Sequence, residues 1–348
     1  STIDNGATTT EIIYLSRLYN ATHDETYKEA AIRGLDYLFE AQYENGGWPQ
    51  FYPRPKGYYV QITYNDNAMI NVMNLLRDVS NGKSPFTYLP ESTRQKAQKA
   101  IDKGVECILK TQVKQHGKLT VWCAQHDRET FAPAKARAYE LPSLSGAESA
   151  NIVIYLMQLT NPSAEVIQSI ESAVQWFKDS EIKGIKIESF INKDGKKDRR
   201  VAPCEDCKPM WARFYELETN RPFFCDRDGI KRYHLSEIGY ERRNGYSWLN
   251  RSGENVYKEY EFIYIKDNNE YHGIIDLMLE YSDKIFIVDY KLKNIDDEKT
   301  EKREYKPFYE IKEMYPRYLF VSDLILQKNI EGINNVNIVD FIYNKEDL

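Results

Sequence analysis

Gly34–Gln42 reads GLDYLFEAQ, Gly104–Gln112 reads GVECILKTQ and Ala173–Glu181 reads AVQWFKDSE. These stretches lie about 70 residues apart, and each sets apolar side chains at helical spacing. Each follows another helical candidate: Glu11–Tyr19, Asn67–Val79 and Ala147–Leu159. The pattern predicts three helical hairpins with long connections between them.

The ends of the hairpins carry the unusual residues. Gly46-Gly47-Trp48-Pro49-Gln50 follows the first repeat, and Val121-Trp122-Cys123-Ala124-Gln125-His126-Asp127 follows the second. Loops that leave one end of a helical array are held in place by the helices and commonly carry chemistry. The fold expected from these features is mainly α, an incomplete (α/α) toroid with a groove across one end.

The chain has 348 residues, enough for two domains. A net charge of −6 argues against a generally basic surface that would bind polyanions. An anionic substrate would have to be met by a local cluster of Arg and Lys, or by a metal. No run of 18 apolar residues suggests a membrane span, so no membrane partner is expected. No leader is visible, and since the chain opens inside what reads as a motif, that carries no weight. The 27 tyrosines suit sugar or base stacking, but they also fill cores. Five irregularly spaced cysteines imply no disulfide framework. Cys204-x-x-Cys207 with Cys225 would supply three zinc ligands, but no fourth follows at the usual spacing. A loop disulfide or free thiols is the favoured reading.

Four segments of the first 250 residues group chemically useful side chains. Thr2–Thr8 holds Asp4 and Asn5 just before a helix, and Thr63–Asn67 places Asp66 at the start of the next hairpin. Lys135–Ser143 places Lys135 and Arg137 before the third. Trp211–Tyr215 and Thr219–Phe224 add Arg213 and Arg221, with Arg227 just beyond. Taken singly, Asp4 and Asp66 read as helix N-caps, and Arg213 reads as a surface stack on aromatics. The functional reading rests on their comparable positions at hairpin ends, from which they can converge.

Two carboxylates near several guanidiniums suit an acidic polysaccharide. Calcium prefers oxygen ligands and accepts a protein cage that substrate completes. Bound to a uronate carboxylate, it would acidify the proton on the neighbouring carbon, while arginines grip further uronates in bidentate fashion. A base must then remove that proton. None of the four segments contains a His, although His126 is near in sequence, so Arg137 is the candidate. A free guanidinium stays protonated to about pH 12 or above. Calcium, a second cation and desolvation are expected to favour the neutral form, with an alkaline optimum.

These motifs resemble those of the family 10 pectate lyases, over roughly Thr2 to Trp248. The resemblance is carried by Thr2–Thr8, GGWPQFYP (Gly46–Pro53), TYNDNAM (Thr63–Met69), VWCAQHD, KARAYELPSLSGAES (Lys135–Ser149), WARFYELETNRPFF and ERRNGYSWL (Glu241–Leu249). It implies an (α/α) toroid and cleavage of polygalacturonate by calcium-assisted β-elimination. Asp4 and Asp66 would lie in the calcium–substrate site, with Arg137 as base. Asn5, Lys135, Arg213, Arg221 and Arg227 would bind substrate, Arg221 being favoured for the family's second arginine. The helices that normally precede the Asp4 motif are absent from this stretch, so the toroid is expected to be N-terminally incomplete. The family's polymeric substrate implies a secreted or periplasmic location.

Beyond Arg251 the composition turns to Ile, Lys, Asn and Asp, and the periodicity becomes alternating. The expected boundary is 1–250 against 251–348. Tyr257–Lys266, Gly273–Glu280, Lys284–Lys291, Arg317–Gln327 and Val336–Phe341 read as strands, and Glu301–Tyr315 as a helix stopped by Pro316. Asp276 and Asp289, with Glu259 or Glu261 upstream, would hold magnesium for phosphodiester hydrolysis, Glu261 being favoured, and Lys291 of Asp289-Tyr-Lys291 would orient or activate water. This α/β segment resembles the RecB-like nucleases of the PD-(D/E)xK superfamily. That resemblance implies a nucleic-acid partner and a cytoplasmic location. Against it stands a plain β-rich domain with Asp276 and Asp289 at turns or edges.

Overall fold

The structure, a computed structural model, describes residues 2–260 and the strand segments 275–280, 285–290, 317–321, 329–330 and 333–337, with side chains through Val256. The chain divides into two compact units, Ser1–Val256 and Tyr257–Leu348.

The first unit contains the three expected hairpins: α1 (Ala7–Thr22) with α2 (Glu25–Ala41), α3 (Ala68–Ser80) with α4 (Glu91–Thr111), and α5 (Gly146–Met157) with α6 (Ala164–Asp179). The repeat's small residues have a packing reason. A Cβ on Gly34 would sit 2.6 Å from Ile12, and one on Gly104 would sit 2.8 Å from Met73, so glycine lets paired helices approach closely. The central helix α3 buries Met69, Ile70, Val72, Met73, Leu75, Leu76 and Val79, whereas peripheral α1 buries only Thr9, Ile12 and Ser16.

Each hairpin is closed by a buried tryptophan. The indole N–H of Trp48 donates to Leu38 O, that of Trp122 to Ile108 O and that of Trp211 to Phe177 O, at 2.8, 2.8 and 2.9 Å. The acceptors are carbonyls of the last turn of α2, α4 and α6, where helices leave backbone acceptors short of partners; Ile108 O also accepts from Gln112 N and the Thr111 hydroxyl. Each ring is at most 1% exposed, which contributes roughly 4–6 kcal/mol of gross apolar burial.

Short strands connect the hairpins: β1 (Ile62–Thr63), β2 (Lys114–Gln115), β3 (Lys118–Leu119), β4 (Gln125–His126) and β5 (Leu144–Ser145). After α6 come β6 (Ile185–Ile191), β7 (Lys197–Pro203), β8 (Trp211–Ala212), β9 (Phe214–Tyr215), β10 (Pro222–Cys225), β11 (Lys231–Arg232), α7 (Tyr240–Gly245), β12 (Leu249–Asn250) and α8 (Ser252–Tyr260). Within each hairpin, the segment entering the first helix pairs with the segment that follows the second. Thr2 bridges Phe51, Ile62–Thr63 pairs with Gln125–His126, and Leu144–Ser145 pairs with Phe214–Tyr215, all antiparallel. This threefold device gathers the connecting loops at one end of the helices.

Several details differ from expectation. The β6–β7 hairpin follows α6 where no strands were anticipated. Around the expected boundary at residue 250 the chain is packed: β12 pairs with β8, and Gly253 lies against Trp211 so closely that a Cβ would be 2.4 Å from its ring. Tyr257–Tyr260, expected to open a strand, instead end α8.

In the second unit, β13 (Ile275–Glu280) runs antiparallel to β14 (Ile285–Tyr290). Parallel pairings then join β14 to β15 (Arg317–Val321) and β15 to β17 (Ile333–Asn337), with β16 (Asn329–Ile330) antiparallel at the edge. The helix expected at 301–315 lies outside the described residues.

Candidate active site

Asp4 and Asp66 each sit in a 3-10 turn immediately before a hairpin's first helix. Both turns use left-handed backbone: Asn5 and Gly6 at φ 53 and 68°, Asp66 and Asn67 at 51 and 59°. Asn and Asp tolerate this conformation better than other residues with a Cβ. The positions before α1 and α3 are Gly6 and Asn67, and neither helix has a side-chain cap. The capping reading of the two aspartates therefore fails. Real Asx and Ser caps occur on the second helices, where Asp24 accepts from Thr26 N and Ser163 from Val166 N.

The third hairpin supplies Glu148 at the corresponding place, three residues past β5, a residue the sequence reading missed. Ser145-x-x-Glu148 has capping-box spacing. The Ser145 hydroxyl caps nothing, however, and donates to Glu148 Oε2 instead. Glu148 is 5% exposed and accepts Arg213 Nη2 at 3.1 Å. The same nitrogen donates to Asn65 Oδ1 at 3.0 Å, and the Asn65 amide donates to Asp66 Oδ2 at 2.6 Å. Arg213 is fixed from behind by Gly146 N donating to its carbonyl and by its own N–H donating to Trp248 O.

Asp66 feels this crowding. Burial raises its pKa most; Arg213 pulls it back, and Glu148 and Asp4 push it up again. Asp4 accepts Thr2 Oγ1 at 2.6 Å on one oxygen and the Gln50 amide on the other. Gln50 Oε1 is buried without a hydrogen-bond partner. Two carboxylates, one of them raised by burial and by the acids beside it, with an unsatisfied amide oxygen nearby, form a donor set suited to a hard cation. Among the described residues no group of three or more His, Cys, Asp or Glu is arranged to hold a metal. A cation here would depend on substrate oxygens to complete its shell.

Beside the acidic centre lies a shelf of guanidiniums on two tyrosines. Arg137, Arg242 and Arg227 lie 5.2, 4.6 and 5.9 Å from the Tyr139 ring centre, and Arg213 and Arg242 lie 4.3 and 5.8 Å from that of Tyr246. Arg137 chelates Glu140 through Nε at 2.7 Å and Nη2 at 2.5 Å, and Tyr246 OH donates to the same carboxylate. Nη1 is left outside these bonds. The Arg137 side chain is 42% exposed and that of Glu140 8%. Arg227 makes a bidentate pair with Glu241, which also accepts from Arg242 at 2.7 Å.

Desolvation acts on Arg137 in the expected direction, lowering its pKa. Its bonds to Glu140 outweigh burial and hold its pKa above the ordinary value. For Glu140, burial acts upward, but Arg137 and Tyr246 together hold the carboxyl below its usual range. Arg213 is pulled down by burial and carried up by Glu148, Tyr246 and Asp66.

The remaining expected residues scatter. Arg221 is not brought to the acidic centre; its guanidinium lies 3.4 Å from the Tyr233 ring centre, at the turn into β10. Lys135 is exposed on a loop, and Asn5 is exposed within the 3-10 turn that carries Asp4. His126 is buried, accepting Cys123 N–H at Nε2 with Nδ1 at 2.8 Å from Phe131 O, and burial lowers its pKa to about 4. It is a neutral structural histidine and no base. Cys204 and Cys207 form a disulfide and Cys225 is a buried free thiol, so the zinc alternative is replaced. Asp276 and Asp289 are Cα partners across β13–β14, while Glu261 and Lys291 lie outside the described residues.

Helical hairpins that gather acids and guanidiniums at one end define a class: enzymes acting on anionic polysaccharides. The comparisons specify it further. A family model described as pectic acid lyase matches residues 1–257. A family 10 polysaccharide lyase from Cellvibrio cellulosa is similar at 39% identity and a TM-score of 0.68, covering 74% of this chain and 79% of that one. An aspartate-to-alanine mutant of the Cellvibrio cellulosa family 10 lyase, solved in complex with trigalacturonic acid, is similar at 38% identity with the same TM-score and coverage. No curated protein matches. The chain belongs to the pectic acid lyase family, and its first unit is a polysaccharide lyase of family 10 with that family's (α/α) toroid fold.

Proposed function

We propose that the first unit cleaves α-1,4-polygalacturonate by calcium-assisted anti β-elimination, with Arg137 as the base and unsaturated oligogalacturonates as products. The observation that carries the reading is the adjacency of Asp4, Asp66 and Arg213 at one end of the hairpins, with the Arg137 shelf beside them. Asp4 and Asp66 would hold calcium, which when bound draws charge from a uronate carboxylate and acidifies the proton on the adjacent carbon.

The chain's own residues then orient and deprotonate. Arg213, held by Glu148, Asn65 and Tyr246, presents a fixed positive charge beside the acids. Arg242 and Arg227 extend that charge across Tyr139 for neighbouring uronates. Arg137 offers Nη1 to the substrate. Before it can accept a proton it must lose one, and Glu140, already bonded to Nη2, opposes that loss. Turnover therefore rises with pH into the alkaline range.

The test is ultraviolet absorbance of the unsaturated product from polygalacturonate at alkaline pH, with calcium and then with a chelator. A calcium-dependent rise supports the reading. Folded protein that gives no rise at any calcium concentration would sink it.

A second reading concerns the other unit alone. Asp276 directly opposite Asp289 favours paired carboxylates that hold magnesium for phosphodiester hydrolysis. Magnesium-dependent cleavage of linear DNA, lost in Asp289→Ala, would support it; DNA left intact with magnesium present would end it.

A further inference from the structure

Arg221 was expected at the catalytic centre and instead lies on Tyr233. Tyr233 forms part of the wall of a separate cleft of about 670 Å³. The β6–β7 hairpin supplies one side, through Phe190 and Arg199. The other side comes from Phe224 of β10 and from Tyr233 and His234 beyond β11. None of the cleft's lining residues belongs to the acidic centre or to the guanidinium shelf. Strand alternation explains the separation: Pro222 and Phe224 line the cleft, while Phe223 between them stacks on Phe214.

The charges of the cleft are unequal. Arg243 is spent on Asp198 at 2.7 Å, and Arg200 on Glu188 at 2.7 Å. Arg199 and Arg221 have no carboxylate partner among the described residues; the side chain of Arg199 is half-buried and that of Arg221 exposed. Arg199 lies in the cleft wall with Phe224, while Arg221 covers Tyr233 and Arg200 covers Phe190, so one unpaired guanidinium in the wall beside one uncovered ring matches a ligand with a carboxylate on an otherwise apolar sugar face. The volume falls within the ordinary range for small-ligand sites.

We propose that this cleft is a second, non-catalytic binding site for an acidic saccharide, a galacturonate segment of the same polymer. Arg199 would take a uronate carboxylate and Phe224 a sugar face, with Arg221 on Tyr233 beside them. The inference rests on polygalacturonate being the substrate. A polymer held there would stay on the enzyme between cleavages, whereas a trisaccharide would gain nothing for turnover.

The test is calorimetric titration of trigalacturonate into full-length Arg137→Ala protein, which binds without turning over, alone and combined with Arg199→Ala. Two saccharides per chain, falling to one with Arg199→Ala, is the expected result. One saccharide per chain in both proteins would overturn the inference. So would equal binding of maltotriose, which lacks carboxylates, or equal displacement by inorganic phosphate, which lacks sugar faces. In otherwise native protein, Arg199→Ala should raise KM for polygalacturonate about tenfold and leave trigalacturonate turnover unchanged. Equal loss on both substrates would place Arg199 in the catalytic groove or the fold, against the proposal. If the native protein makes no product, the catalytic reading fails, and the saccharide count still decides this one.

Discussion

The two aspartate turns and the guanidinium shelf adjoin at one end of the hairpins but are built by different means. Asp4 and Asp66 are placed by backbone: a left-handed turn fixed to the start of a helix, repeated in two hairpins. The shelf is placed by side chains drawn from distant parts of the chain. Tyr246 OH reaches Glu140, Arg227 reaches Glu241, and Tyr139 is faced by three guanidiniums. A backbone-held group keeps its position when a neighbour is truncated. A side-chain network loses several partners at once, and its effects are not additive.

The largest expected effect is at the shelf. Arg137→Ala should lower kcat on the order of 10³-fold, read as unsaturated product at alkaline pH, and raising calcium should not restore it. Substantial residual activity would assign the proton transfer elsewhere. Asp66→Ala comes next, with a loss of about 10²-fold that excess calcium partly recovers. Recovery in the second variant and none in the first would confirm that the two regions do different work; equal behaviour would break the distinction.

Glu140→Gln should have a smaller and more informative effect. The native carboxylate raises the Arg137 pKa, so removing its charge lets the guanidinium lose a proton at lower pH. The rising limb of kcat against pH should move toward neutrality, while kcat at the optimum falls roughly tenfold from lost positioning. An unmoved limb would remove Glu140 from the protonation of the base.

The smallest effect concerns stability and serves as a control on which titrating groups matter. His126 is neutral when folded, with a pKa lowered from 6.5 to about 4 by burial. The unfolded chain binds the extra proton between those values. His126 therefore contributes stability that is fully present above pH 6.5 and is lost as pH falls toward 4, by roughly 3 kcal/mol. Denaturant midpoints at pH 7 and 4.5 measure the loss, which should shrink in His126→Gln while the alkaline activity profile keeps its shape.

Much of the first unit was legible in its sequence. The three hairpins were visible because helical periodicity is local and the repeat fixes its phase, and Asp4 and Asp66 because they recur beside helix starts. The β6–β7 hairpin was missed, although Ile185, Ile187 and Ile191 with Asn192-Lys193-Asp194-Gly195 carry an alternating pattern and a turn. Glu148 was missed because nothing local marks it: its partner Arg213 arrives from 65 residues further along the chain.

By itself, then, the sequence determined the helical hairpins, the lyase motifs and the candidacy of Asp4, Asp66, Arg137 and Arg213, since each of these depends on spacing within a short stretch. Only the tertiary structure decided which charges meet. It turned the two aspartates from caps into an acidic centre, coupled Arg137 to Glu140, made His126 structural and set Arg221 on the Tyr233 ring. Electrostatic roles depend on separations of a few ångströms between residues remote in sequence, and those separations are set by how the hairpins' connecting strands pair.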